Sequence, residues 1–119
     1  MSSQIQKLFD LQKLTTLRRD IHQNAELSLK EFNTQAKIKH YLTETLKISP
    51  EKIFHCANTG LILDIYGRGP VNPTFGESGL LIGARADIDA LPLSEETDLP
   101  FKSTTNAMHA CGHDGHIAC

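Results

Sequence analysis

The chain has 119 residues, a length that suits one domain or part of one. Its formal net charge of −2 offers no basic surface for nucleic acid, and no stretch approaches the roughly 20 apolar residues that cross a membrane. The N-terminus lacks a secretory pattern, and three cysteines without framework spacing indicate reduced thiols. We therefore expect a cytoplasmic protein with no nucleic-acid or membrane partner.

Helical periodicity dominates the first half of the chain. Apolar residues recur at steps of three and four over residues 5–21 and predict one amphipathic helix. A second helix is predicted to begin at a capping box formed by Ser28 and Glu31. It ends at Ser49-Pro50, because a residue before proline is pushed out of helical conformation. Its predicted buried face consists of Phe32, Ala36, Ile38, Tyr41, Leu42 and Leu46.

The second half has the pattern of strands. Short apolar runs at 53–56 and 61–66 flank a turn-rich segment at 57–60 and predict a hairpin. After a loop at 71–78, the run 80–84 is almost entirely apolar, which is typical of a strand covered on both faces. Helices followed by apolar strands predict an α/β fold with two helices, a hairpin and a buried central strand.

Charged residues follow this central strand. Arg85 and Asp87 would emerge at its carboxyl end, where open α/β sheets bind ligands. The alternative, which the sequence leaves open, is that the two residues form a partly exposed ion pair. Glu95 and Glu96 resemble a catalytic carboxylate pair, but their position before Pro100 favours a surface loop.

The end of the chain is rich in possible metal ligands. Residues 109–116 contain three histidines, one cysteine and one aspartate, and Cys and His are preferred ligands of zinc and similar cations. In an extended segment His109, Cys111 and His113 would share one face, and Gly112 would let the backbone bend. The alternative is a polar loop that is merely rich in histidine.

A metal site needs about four or five donors including solvent, and this segment supplies only some of them. The others must come from elsewhere in the chain, from a partner or from residues that the chain lacks. His22, His40 and His55 stand alone without ligand spacing. We therefore favour the third explanation, in which the chain is the front part of a longer enzyme.

Four segments together carry a family resemblance: LRRDIHQNAELS at 17–28, RADIDALP at 85–92, EETDLPF at 95–101 and MHACGHDGH at 108–116. They resemble the metal-dependent N-acyl-amino-acid amidohydrolases, in the hippurate hydrolase and auxin-conjugate hydrolase branch of the aminoacylase/carboxypeptidase family. Ala25 stands where that family usually has proline, and the loop at 70–78 is longer than the family's turn. The family's other metal ligands, its catalytic glutamate and its dimerisation domain lie downstream of the Cys-Gly-His-Asp motif.

The resemblance implies roles for individual residues. Cys111 and His113 would be ligands of a centre with two divalent ions (zinc, manganese or cobalt), with the Cys111 thiolate suited to bridging them. Asp87 would support the site without binding metal, while His109, Asp114 and His116 flank the ligands. The implied reaction is hydrolysis of the amide bond of a small N-acyl amino acid.

The resemblance also implies a domain assignment. Residues 1–119 would form the N-terminal portion of a catalytic domain of the dinuclear-metal-peptidase type, and a homo-oligomer is expected only for the full-length protein. Two alternatives stay open. One is a noncatalytic metal-binding module in which His55 or Cys119 completes the site, and the other is an inactive, truncated gene product.

Overall fold

The computed structural model of the protein describes residues 10–67, 69, 70 and 80–119. Helix α1 spans Leu11–Gln23, and helix α2 spans Phe32–His40 and continues as a π-helical turn over Tyr41–Thr45. A 3-10 turn at Pro50–Lys52 leads into strands β1 (Ile53–Cys56) and β2 (Gly60–Leu63). The last element is the short helix α3, His113–Ala118. No described helix is long and apolar enough to cross a membrane.

Helix α1 confirms the first predicted helix over residues 11–21. Asp10 caps it by accepting a hydrogen bond from the Lys13 amide at 3.1 Å. The apolar stripe becomes more buried toward the carboxyl end, where Ile21 has no exposed surface. The predicted residues 5–9 and the loop at 71–78 lie outside the described residues.

Helix α2 begins differently from the prediction. Its N-cap residue is Glu31, and no capping box forms, because the Glu31 side chain accepts a hydrogen bond from Thr59. The carboxylate of Glu26 takes over the capping role: it accepts bonds from the amides of Asn33 (3.2 Å) and Thr34 (2.8 Å). The predicted buried face is also wrong in part, since Phe32, Ala36 and Leu46 are exposed.

The predicted hairpin is confirmed. Strands β1 and β2 pair antiparallel, with Ile53 opposite Leu63 and Cys56 opposite Gly60. The turn between them places Ala57 and Asn58 at positive φ, a conformation that asparagine tolerates better than alanine. Strand β2 ends at Leu63, three residues earlier than predicted.

The fold class is confirmed as α/β, but the predicted buried strand at 80–84 is wrong for this structure. The segment has no strand conformation, and Leu80, Leu81 and Ile82 are exposed by 62%, 94% and 76%. A central strand needs hydrogen-bonding neighbours on its edges and a layer on each face. The part of the chain that the structure describes supplies neither to this segment, so its apolar side chains stay in contact with solvent.

A small core connects the loop after α1 to the segments that carry the candidate site. Ala25, Ala90 and Ala107 are buried together, with Leu27 packed against them. Backbone hydrogen bonds join the same segments, from the Ala90 amide to the Glu26 carbonyl (2.8 Å) and in both directions between Leu91 and Met108. These short bridges fix residues 89–91 beside the segment that leads into α3.

Candidate metal centre

The ligand-rich segment turns sharply at Gly112. This residue has φ of +78°, in the left-handed region that glycine enters without strain, and its amide bonds to the His109 carbonyl at 3.1 Å. The predicted bend is therefore confirmed. The predicted shared face is wrong: His109 is buried, Cys111 is exposed and His113 begins α3. Side chains alternate regularly only in extended backbone, and this segment is a turn.

His113 is held in one orientation by Asp89. Its Nδ1 lies 2.9 Å from the Asp89 carbonyl oxygen and 3.1 Å from the carboxylate Oδ1. Both oxygens are acceptors, so Nδ1 donates, and in the neutral tautomer with its proton on Nδ1 the lone pair that a metal ion needs is on Nε2. A metal-binding histidine commonly has its other ring nitrogen anchored in this way.

Cys111 lies one residue before the bend, with an exposed thiol. A thiolate and an imidazole suit zinc, cobalt and similar cations. Among the residues that the structure describes, no three histidine, cysteine or acidic side chains converge as a metal-binding group. Cys111 and His113 therefore fit a divalent ion as two donors of an incomplete set.

Asp87 forms the ion pair that the sequence left open as an alternative. Its Oδ1 lies 2.6 Å from Nη2 of Arg85, and both side chains are substantially exposed. No hydrogen bond joins Asp87 to Cys111 or His113 among the described contacts, and its supporting role stays a prediction. The residue that contacts His113 is Asp89, which the sequence reasoning missed. The feature of the sequence that could have identified Asp89 is the Asp-Ile-Asp pattern, which places Asp89 two residues beyond Asp87.

A buried charged cluster lies behind the ligand segment. The His22 ring fits between two carboxylates, with Nδ1 2.9 Å from Oδ2 of Asp114 and Nε2 3.2 Å from both oxygens of Glu95. Arg18 also donates from Nε to Oδ2 of Asp114 at 3.0 Å. The His22 and Asp114 residues are 5% and 1% exposed, and the Glu95 side chain has no exposed surface. His22, which the sequence presented as an isolated histidine, is central to this cluster.

The sequence had suggested that Glu95 lies in a surface loop, but its side chain is buried. Burial raises the pKa of its carboxyl group, but hydrogen bonds from the Ser103 amide, Thr97 and His22 outweigh burial and lower this pKa to about 2. The pKa of Asp114 is also lowered, because the His22 hydrogen bond and the Arg18 charge together outweigh the opposing effect of burial. Both groups are therefore carboxylates at neutral pH.

His109 and His116 flank the two candidate ligands in different ways. His109 is 4% exposed, and neither ring nitrogen has a hydrogen-bond partner in the described structure. Burial lowers the pKa of His109 more than the charge of Asp114 raises it, and the nearby His22 and His113 lower it further. The His116 ring lies 5.9 Å from the His113 ring. His109 is thus a buried neutral imidazole beside the candidate ligands.

The sequence is similar to those of several known proteins. Residues 83–119 match the model of peptidase family M20/M25/M40. The chain is 43% identical over 111 residues to the N-acetylcysteine deacetylase of Bacillus subtilis, covering 89% of this chain and 26% of that protein. It is 42% identical over 107 residues to the N-acetyldiaminopimelate deacetylase of Anoxybacillus flavithermus, covering 86% of this chain and 25% of the relative. The chain therefore spans about a quarter of the length of these curated relatives.

A solved structure shows the same relationship. The chain aligns with a Bacillus subtilis dinuclear metal-binding peptidase of the M20 family with a TM-score of 0.72 and 44% identity, covering 90% of this chain and 27% of that one. The predicted family resemblance is confirmed. Segment 83–119 matches the model of peptidase family M20/M25/M40, and the chain as a whole has the α/β fold of the N-terminal part of the M20 peptidase with which it aligns.

Proposed function

We propose that this chain contributes the N-terminal part of a catalytic domain that hydrolyses the amide bond of N-acyl amino acids with the help of two divalent metal ions. The observation that carries the proposal is the His113 geometry: Asp89 fixes Nδ1, which leaves Nε2 available two residues from the Cys111 thiol. The names of both curated relatives specify an N-acetylated amino acid as the substrate.

Cys111 and His113 are the residues of this chain that would hold metal. When bound, divalent ions would activate water and stabilise negative charge that develops on the amide oxygen. Asp89 would keep the His113 ring aligned, and Asp87 would support the same edge of the site from its pair with Arg85. The donor types are compatible with zinc, manganese or cobalt, and metal availability would decide among them.

Amide hydrolysis also requires proton transfer to the leaving amine. In the relatives that the sequence resembles, a glutamate downstream of the Cys-Gly-His-Asp motif has this role. The buried acids Glu95 and Asp114 are engaged by His22 and lie in its cluster, so neither is free to act as the base. Loss of a general base costs about 10²–10⁴-fold in rate. We therefore expect residues 1–119 alone to bind divalent metal weakly and to show no hydrolysis above background.

The experiment measures release of free amino acid from an N-acetyl amino acid with added manganese or zinc. It compares residues 1–119 with a full-length relative in which this chain replaces the matching N-terminal segment. The hybrid is expected to be active and sensitive to chelator, and Cys111→Ala or His113→Ala should abolish its activity. Cys56→Ala and His55→Ala are matched controls, because both residues are exposed on β1. Chelator-sensitive turnover by residues 1–119 alone would contradict the proposed division of the site.

The competing module with a closed structural metal site receives no support from the geometry. His55 and Cys119 are both exposed, and neither joins Cys111 and His113 in a three-ligand group within the described ranges. If the chain is an inactive gene product, residues 1–119 alone would again show no hydrolysis, but the hybrid enzyme would be inactive as well. The cytoplasmic location and the restriction of oligomers to the full-length protein stay predictions from the sequence.

A further inference from the structure

The buried cluster around His22 joins distant segments of the chain in a way that stability alone does not require. Glu95 and Asp114 are 73 and 92 residues away from His22 in the sequence, yet each contacts a different nitrogen of the same ring. Both carboxylates can only accept hydrogen bonds, so Nδ1 and Nε2 must both carry protons. The result is a buried positive ring between two negative groups, and each partner would be left unpaired if the ring were removed.

The cluster lies next to the candidate ligands. Asp114 is the residue after His113, in the first turn of α3, and its carboxylate receives hydrogen bonds from His22 and from Arg18 of the same helix α1. Helix α3 has only six residues, too few to be stable without outside contacts. Its first turn is therefore held by outside contacts, from Asp114 to α1 and from His113 to Asp89.

Glu95 fixes the other side of the ring. Its carboxylate accepts a bond from the Ser103 amide at 2.5 Å as well as from His22. The Phe101 and His22 rings pack in a T-shaped arrangement, with centroids 5.6 Å apart. The loop at 95–103 thereby prevents the imidazole from rotating away from Asp114.

We propose that His22 is a positioning residue for the metal centre: by donating to Asp114 and Glu95 at once, it holds the first turn of α3 so that His113 keeps Nδ1 on Asp89 and presents Nε2 to a metal ion. This inference rests on the proposed function for the identity of the ligands. His22 would therefore affect metal affinity although it binds no metal itself.

The test uses Co²⁺ as the probe ion and two variants on adjacent residues. His22→Gln keeps a polar side chain, but a single flexible amide nitrogen replaces the two donors that the rigid ring aims at the two carboxylates. Ile21→Val is the matched control, because it loosens the same buried turn of α1 without touching the cluster. Co²⁺ affinity is measured by absorption titration, at a temperature where circular dichroism shows that each variant is folded. We expect His22→Gln to weaken Co²⁺ binding about 10–100-fold and Ile21→Val to change it less than about threefold.

A second measurement reads the ring protons directly. Nitrogen-15 spectra of the histidine rings in the unmodified chain at neutral pH should show protons on both nitrogens of His22 and a proton fixed on Nδ1 of His113. In His22→Gln, the His113 ring should exchange between its two tautomers. If the variant does not fold, the spectrum of the unmodified chain decides alone.

Three results would overturn the inference: equal loss of affinity in Ile21→Val, unchanged affinity in His22→Gln, or an unprotonated nitrogen on His22 in the unmodified chain. Failure of the proposed function gives a different pattern. In that case the unmodified chain binds no Co²⁺, while the ring spectra still show whether His22 controls the orientation of His113.

Discussion

Glu95 should make the stability of this protein depend on acid in a predictable way. Its carboxylate is buried and accepts hydrogen bonds from His22, Thr97 and the Ser103 amide, and its pKa is lowered from 4.5 to about 2. In the unfolded chain the pKa returns to its ordinary value, so unfolding takes up a proton between these two pH values. The stabilisation from Glu95 is complete above about pH 4.5 and is lost as the pH falls toward 2.

The size of the effect follows from the same difference. Each pKa unit corresponds to about 1.4 kcal/mol, which sets an upper bound of about 3 kcal/mol, and a glutamine that keeps part of the hydrogen bonding reduces the expected loss to about 1–2 kcal/mol. Glu95→Gln should lower the free energy of unfolding by that amount at neutral pH. The difference between the variant and the unmodified chain should shrink toward zero as the pH approaches 2, where Glu95 is protonated in both states.

Urea titrations followed by far-ultraviolet circular dichroism, repeated from neutral pH down to about pH 2.5, would measure this difference. Glu96→Gln is the matched control, because Glu96 is the adjacent residue and is exposed. Its effect should stay within about 0.5 kcal/mol at every pH. A Glu95→Gln effect that does not change with pH, or an equal effect of Glu96→Gln, would refute the assignment of the acid response to the buried carboxylate.

Two further predictions concern the backbone around the site. Glu26→Ala removes the carboxylate that caps α2 at Asn33 and Thr34, and it should lower the free energy of unfolding by about 1–2 kcal/mol, measured by thermal melting; an unchanged melting temperature would contradict the capping role. Gly112→Ala forces a side chain into φ of +78° at a strain of about 1–2 kcal/mol and should weaken Co²⁺ binding. Gly83→Ala, where an added Cβ also meets nothing and φ is not positive, is the control and should leave binding unchanged.

Features that depend on neighbouring residues were predictable from the sequence. The hairpin was placed correctly because two apolar runs and a turn-rich connection determine it within a dozen residues. The bend at Gly112 was also predicted, since glycine enters the left-handed region without a steric cost. Residue chemistry alone marked Cys111 and His113 as candidate metal ligands, which stays a prediction. The family resemblance then assigned them to a metal-dependent hydrolase.

Features that depend on distant residues were decided only by the tertiary structure. His22 and Glu95 each look ordinary in their own segments, and the pairing of His22 with Glu95 and Asp114 spans up to 92 residues of sequence. Asp89, rather than Asp87, reaches His113 because the bridges around Ala90 and Leu91 fix which carboxylate faces α3. The apolar run at 80–84 is the opposite case, in which a local pattern predicted burial that the tertiary structure does not provide. Its composition favours a buried strand, but burial requires neighbouring strands and covering layers, which a local pattern does not specify.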